Sequence, residues 1–181
     1  LPHLALWMGG TREEKTVKLA DYRKMAVYYA LTTAKAQGRV RRMPFFDEPI
    51  VRYDLGEDDL TRLGDGLYKL GCLLFAAGAV ELFVPISDVP PIQHPDELKS
   101  LAKSIPRDKT DITAIHLFSS CPLGEDESKS PLNSYGKVNG FENVFVNDSS
   151  MLPGCTGVNP QGTIMAIAIR NVLHFQSDRT P

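Results

Sequence analysis

A chain of 181 residues with 43% hydrophobic content is long enough to bury one core of ordinary size. Its 20 basic and 22 acidic residues leave a net charge of -2, which argues against a nucleic-acid groove or a polybasic membrane surface. No uninterrupted apolar stretch approaches membrane-spanning length.

In chain order, Leu4-Ala5-Leu6-Trp7-Met8 reads as a strand or a buried entry segment stopped by Gly9-Gly10, without the basic start of a secretory signal. Thr11-Arg12-Glu13-Glu14 has the form of a capping box, so a helix is expected toward Arg23 although its apolar periodicity is weak. Residues 25–33, rich in Val, Tyr, Leu and Thr, read as a strand. Gly38-Arg39-Val40-Arg41-Arg42 and Pro49-Ile50-Val51-Arg52-Tyr53-Asp54-Leu55 follow as two alternating strands around a Phe45-Phe46-Asp47-Glu48 turn. Val40, Ile50 or Val51, Tyr53 and Leu55 offer their inward faces, and three neighbouring strands imply an antiparallel sheet. From Glu57 the period changes to three and four: Leu60, Leu63, Leu67, Leu70 and Leu74 mark an amphipathic helix expected to pack on that sheet. Glu57-Asp58-Asp59 opens it at the end the helix dipole favours, and Gly78 closes it. Val80-Glu81-Leu82-Phe83-Val84-Pro85 returns as a strand. A rigid proline loop through Pro90-Pro91 and Pro95 leads to a short helix over 96–103. That loop, with Ile105-Pro106-Arg107-Asp108, is either part of a lid or a plain surface connection.

The last third holds the side chains with chemical promise. His116 follows Thr113-Ala114-Ile115 and precedes Ser119-Ser120-Cys121-Pro122-Leu123-Gly124, so it ends a short strand at a tight loop. A neutral imidazole can take a proton near pH 7, although a lone histidine at a strand end is more often a hydrogen-bonded structural residue. Glu125-Asp126-Glu127 reads as a solvated face, and His3, His94, His116 and His174 fall into no metal-ligand spacing with the cysteines, so no metal site is expected. Asn143-Val144-Phe145-Val146-Asn147-Asp148 reads as a buried strand, followed by a turn rich in small residues from Ser149 to Gly157. Asn159 and Pro160 then suit the N-cap and first position of a helix. That helix, apolar almost all round from Thr163 to Leu173, must be buried, and its N-terminal N–H groups would face an anion or an electron-accepting ring carbonyl. Asn159 could also be a cap and nothing more. Cys72, Cys121 and Cys155 cannot all pair within the chain and read as buried free thiols of a reducing compartment, which tilts the localisation toward the cytoplasm. Cys121 as a nucleophile has only its closeness to His116 in its favour.

Read together, His116-Leu117-Phe118-Ser119-Ser120-Cys121-Pro122-Leu123-Gly124, Tyr135-Gly136-Lys137-Val138, Asn143 to Pro153, and Gly157-Val158-Asn159-Pro160-Gln161-Gly162-Thr163-Ile164 closely resemble the C-terminal signature of the glucose-methanol-choline (GMC) oxidoreductases. The Asn-Pro form is similar to cholesterol oxidase and the long-chain alcohol oxidases within that family. The close match covers roughly residues 113 to 174, and a looser one reaches back to about residue 24. The resemblance implies a FAD-dependent oxidation of a small-molecule alcohol. His116 would be the base that takes the hydroxyl proton while hydride passes to the flavin. Asn159 would hold the alcohol oxygen or contact the flavin. Asp148 and Ser149 would lie near the ribityl-pyrophosphate, and backbone around Pro160, Gln161 and Gly162 would face the pyrimidine edge of the ring. Two positions depart from the family pattern: Ser119 stands where a Gly is usual, and Ser149 where Gly or Ala is usual.

The family's nucleotide-binding Gly-x-Gly-x-x-Gly turn does not occur in these residues, so the expectation is the C-terminal part of a larger assembly. The partner would be an N-terminal FAD-binding polypeptide or half. The expected fold class is α+β within an α/β family fold. Residues 1–112 would form part of a substrate-binding domain, with an antiparallel sheet backed by helices. Residues 113–181 would return with the final strand and helix of the FAD-binding domain. The rival readings are a non-catalytic assembly module of the same fold and a flavin-scaffold lyase.

Overall fold

The computed structural model describes residue 8 and residues 12–178, and the chain separates into two units, Leu1–Thr113 and Ala114–Pro181. The elements among the described residues are three α-helices, short 3-10 turns and one two-stranded antiparallel sheet, an α+β assembly. Apart from Met8, which is buried, the strand or entry segment expected at residues 4–8 lies outside the described residues.

In the first unit, α1 spans Arg12–Leu19, with Glu13 and Glu14 in its first turn and Lys18 in its last, as the helix dipole favours. A 3-10 turn at Tyr22–Lys24 follows. The strand expected at 25–33 does not form: these residues belong to no ladder. The reason is the surface they lie on. Ala30 and Thr32 rest against the second helix at Gly66, where an added β-carbon would stand 3.3 Å from the Ala30 methyl. A helix has no free mid-span carbonyls to pair with a neighbouring strand. The hairpin expected next is present, β1 (Gly38–Arg41) pairing antiparallel with β2 (Ile50–Tyr53), Val40 opposite Val51. Its expected inward faces are not: every residue of both strands is exposed, and of the residues named only Leu55, just past β2, packs on the core.

The leucine stripe does form a helix, α2, over Glu57–Ala76, and Gly78, in the left-handed region at a φ of 98°, ends it. Contrary to expectation α2 does not pack on the sheet. Leu60 clusters with Val84, Ile86, Ile92, Leu98 and Ile105, which all follow α2 in sequence, with Leu63 and Leu67 against them. Two glycines on α2 permit this. A β-carbon on Gly64 would stand 2.1 Å from the Leu101 carbonyl oxygen, and one on Gly71 would stand 2.1 Å from a Leu98 methyl. The strand expected at 80–85 is reduced to a single bridge, in which Leu82 and Ile92 exchange backbone hydrogen bonds of 2.8 and 2.9 Å. Pro85, Pro90 and Pro91 carry no N–H, so the ladder cannot lengthen. The short helix expected at 96–103 is a 3-10 helix at Pro95–Ser100, capped by His94.

The start of α2 is fastened by one carboxylate. Asp59, 3% exposed, accepts from the N–H groups of Lys35 at 2.9 Å, Ala36 at 3.2 Å and Gly56 at 3.4 Å, and from the Arg62 guanidinium at 2.7 Å. The Lys35 N–H, helped by Gly56 and Arg62, holds the Asp59 carboxyl below the usual carboxylate range against the opposing effect of burial.

In the second unit the core is Leu132, Met151 and Leu152. The buried strand expected at 143–148 is overturned: only Phe145 forms a bridge, to Lys137, and all but Val146 are exposed. The final helix, α3, spans Gln161–Ser177 with Pro160 at the cap position, one residue later than expected. Its expected burial all round is also overturned. The face carrying Ile164, Ile167, Ala168, Asn171, His174 and Phe175 turns inward, whereas Met165, Ile169, Val172 and Leu173 are each about half exposed or more. His174 stacks on Tyr135 with ring centroids 3.6 Å apart, and the Arg170 guanidinium also lies over that ring, 5.1 Å from its centroid.

Two outcomes follow for the first unit. Gly64→Ala should destabilise it by about 1–3 kcal/mol, read from a urea midpoint, because the Leu101 carbonyl is backbone and cannot turn aside. Asp59 is more acidic folded than unfolded, so its contribution is complete above the unfolded value of about 4 and is lost as pH falls through the folded one. The unfolding free energy should therefore drop on acidification below that value, and Asp59→Asn should flatten the drop.

Candidate functional site

Three consecutive carbonyls, those of Ser150, Met151 and Leu152, organise the loop that follows His116. The Cys121 N–H donates to Ser150 at 3.1 Å, the Leu123 N–H to Met151 at 2.9 Å, and the Ser119 hydroxyl to Leu152 at 3.0 Å. His116 stands at a bend upstream of these bonds, half-buried, its ring 6.4 Å from that of Phe118 and inclined at 47°. The strand expected to lead into it is absent; residues 111–115 are irregular.

Asp148 and Ser149 share one turn. Asp148 caps the 3-10 helix Ser149–Met151 by accepting from the Ser150 N–H at 2.7 Å. The Ser150 hydroxyl, then its N–H, holds the Asp148 carboxyl below its ordinary range. Burial, then the Asp148 charge, pushes the half-buried Cys121 thiol up, which makes it a poor nucleophile. Cys72 is also half-buried, and Cys155 is exposed, so the reading of all three as buried thiols is corrected. No group of three or more metal-ligating side chains exists among the described residues.

Asn159 is exposed and lies two residues before α3. No side chain caps that helix: the Ile164 N–H donates to the Pro160 carbonyl at 2.8 Å, while Gln161, Gly162 and Thr163 are exposed. A β-carbon on Gly162 would meet nothing within 4 Å, so the space beside the first turn is open there. Pro160, Gln161 and Gly162 thus gather at one helix end, and Asp148 and Ser149 at one turn. His116 and Asn159 make no hydrogen bond or ring contact with each other.

Sequence reasoning missed Asn171, the polar side chain that ties α3 to the Asp148 turn. Only 6% exposed, it donates to the Asn147 side chain at 3.1 Å and reaches the Met151 sulfur at 3.7 Å, while its oxygen accepts from Arg170 at 2.9 Å. Asn147 in turn donates to the Ala168 carbonyl at 3.3 Å. Gly136, at a φ of 81°, makes room, since a β-carbon there would stand 2.5 Å from the Val146 oxygen and 3.0 Å from the Asn171 amide nitrogen. The available signal was an asparagine set among apolar residues on the inner face of a helix. A recess of about 170 Å³ opens nearby between Tyr135, His174, Phe145 and Phe175, and no residue expected at the site lines it.

Residues 34–168 match the GMC oxidoreductase family. The chain is 41% identical over 150 residues to the uncharacterized GMC-type oxidoreductase y4nJ of Sinorhizobium fredii, covering 82% of this chain and 30% of that protein. It is 35% identical over 146 residues to a GMC-type oxidoreductase of Mycobacterium tuberculosis, covering 81% and 23%. To the long-chain-alcohol oxidase FAO3 of Arabidopsis thaliana it is 28% identical over 178 residues, covering 91% and 23%. The chain therefore spans less than a third of the length of these relatives.

Because the buried Asn171 amide bonds to several groups at once, Asn171→Ala should lower stability by about 1–3 kcal/mol, the loss of two or three hydrogen bonds worth about 0.5–1.5 kcal/mol each. Thermal unfolding followed in the near ultraviolet would register it; an unshifted transition would show that the clamp contributes nothing.

Proposed function

The chain belongs to the GMC oxidoreductase family, and from that membership we propose that it is the C-terminal portion of a FAD-dependent oxidoreductase acting on the CH–OH group of a small-molecule alcohol. One observation supports this most directly: His116 and Asn159 both fall inside the matched residues 34–168, and Asn159 lies two residues before a 17-residue helix whose first N–H groups no side chain takes up. The residues present fit the cofactor. The open end of α3 offers a positive dipole end and free donors to an electron-accepting ring, with Pro160, Gln161 and Gly162 along its pyrimidine edge. The ionised Asp148, beside Ser149, suits the hydroxyls of the ribityl chain. Bound there, FAD would accept the hydride from the alcohol carbon.

The work of this chain's own residues is then to hold and move a proton. His116 takes the proton of the substrate hydroxyl, which raises the electron density on the carbinol oxygen and eases departure of the hydride. Asn159 holds that oxygen through its amide. The α3 N-terminus favours negative charge at its end of the site as reduction proceeds. On this reading residues 1–112 would be part of a substrate-binding domain, and 113–181 would complete the flavin domain. We assign the nucleotide-binding portion to polypeptide beyond these residues, either continuous with them or separate. The solvent-facing stripe of Met165, Ile169, Val172 and Leu173 on α3 supports that assignment, being more apolar surface than a free helix normally leaves uncovered.

The same stripe also favours a second reading, a non-catalytic module that only assembles with a partner. Full-length protein that purifies without the visible absorption of oxidised flavin would support the module. A flavin that stays oxidised when substrate is added would point to a lyase. On the favoured reading, His116→Ala in the flavin-loaded full-length protein slows anaerobic bleaching of the flavin by 1-dodecanol by about two to four orders of magnitude. Bleaching at the unaltered rate would remove His116 from the role.

A further inference from the structure

We propose that Ser119 is a positioning residue for His116: its hydroxyl pins a left-handed turn of backbone, three residues past the imidazole, to the Leu152 carbonyl. The claim rests on the reading of His116 as the base. Ser119 has a φ of 64°, a region that strains a residue with a β-carbon and that glycine enters freely. Of the residues other than glycine with positive φ among those described, Phe45 and Asp88 lie in the first unit and Ser119 alone in the second. Strain of this kind persists where surrounding contacts over-determine it. The contact that does so here is the 3.0 Å bond from the Ser119 hydroxyl to Leu152.

The position of this bond gives it its consequence. Among the described residues, 112–118 make no hydrogen bond, so the segment bearing His116 has no polar tether of its own. Downstream, Cys121 and Leu123 are fixed through backbone N–H groups that any residue type would supply. Ser119 is the first tether after the imidazole and the one that depends on a particular side chain. It joins the His116 loop to the same Ser150–Leu152 stretch that Asp148 caps, and thereby relates the imidazole to the turn assigned to the ribityl chain. A glycine at 119 would relieve the strain but lose the tether; the serine accepts strain and fixes the loop.

The test uses full-length flavoprotein labelled with carbon-13 at the histidine Cε1, with the His116 resonance identified by its loss in His116→Asn. Ser119→Gly removes the strain and the hydroxyl together, whereas Ser119→Ala removes the hydroxyl and keeps the strain. The expected result is that both variants displace or broaden the His116 resonance, and that flavin bleaching by 1-dodecanol slows about tenfold or more in kcat with KM little changed. Ser119→Gly should do so with a melting temperature close to that of the unaltered protein, which a merely structural role would not produce. A His116 resonance that stays in place in Ser119→Gly overturns the proposal. That readout needs no turnover, so it stays decisive even if His116→Ala bleaches normally and the assignment of the base fails.

Discussion

Backbone N–H groups that no strand takes up must find acceptors elsewhere, and in the first unit the carboxylate of Asp59 is where two of them go. Residues 25–37 belong to no ladder, and Ala30 and Thr32 among them rest against a helix, which has no spare carbonyls along its length, so sheet pairing is closed to them on that side. Asp59 accepts from Lys35 and Ala36 and, with the same carboxylate, from Gly56 at the helix cap. One side chain thus fixes where the extended segment ends, where α2 begins, and how the two lie together. Its charge is tolerable at 3% exposure because every contact to it is a donor and one, Arg62, is a cation.

Sequence alone made α2 legible, since leucine spacing of three and four with acidic residues before it and glycine after it points to one answer at every level. What lay against α2 was not legible. The leucines specify a face to be covered but say nothing of the cover, and the tight approach of Leu98 and Leu101 depends on Gly64 and Gly71, whose role no spacing in the sequence announces. The hairpin of β1 and β2 was recognisable from its alternation, yet alternation assumes that one face is buried. Here neither face is covered among the described residues, so inward and outward lose their meaning. At residues 25–33 propensity was read as pairing, and propensity for extended backbone is not a partner.

For the candidate site, the kinds of residue and their order along the chain were visible, because His116, Asp148, Asn159 and Pro160 stand in local sequences that ordinary connectors do not show. Their spatial frame was not. Asp148 looked like the end of a buried strand and is instead the cap of a 3-10 turn, with one carboxylate oxygen already engaged by Ser150. Ser119 stands where the family pattern has a glycine; its backbone has kept the left-handed turn that glycine would adopt, and the added hydroxyl has found a partner. Asn171 escaped notice because an amide inside an apolar helix is conspicuous only once its neighbours Asn147 and Met151 are known.

The two faces of α3 carry the argument from fold to assembly. Its inner face is fixed through Asn171, whose bond to Asn147 and contact with the Met151 sulfur tie this rotation of the helix to the Asp148 turn. That rotation leaves Met165, Ile169, Val172 and Leu173 outward, at spacings of four, three and one that form a single stripe. A helix free to roll could bury either row; this one cannot, so the outward row is a consequence of the clamp. At the N-terminal end the same rotation sets which way the exposed N–H groups of Gln161 and Gly162 look. Any partner that covers the stripe therefore meets the α3 N-terminus in a fixed orientation. In the proposed flavoprotein, the surface that joins this portion to the nucleotide-binding portion and the donors offered to the flavin ring would then be registered by one buried amide.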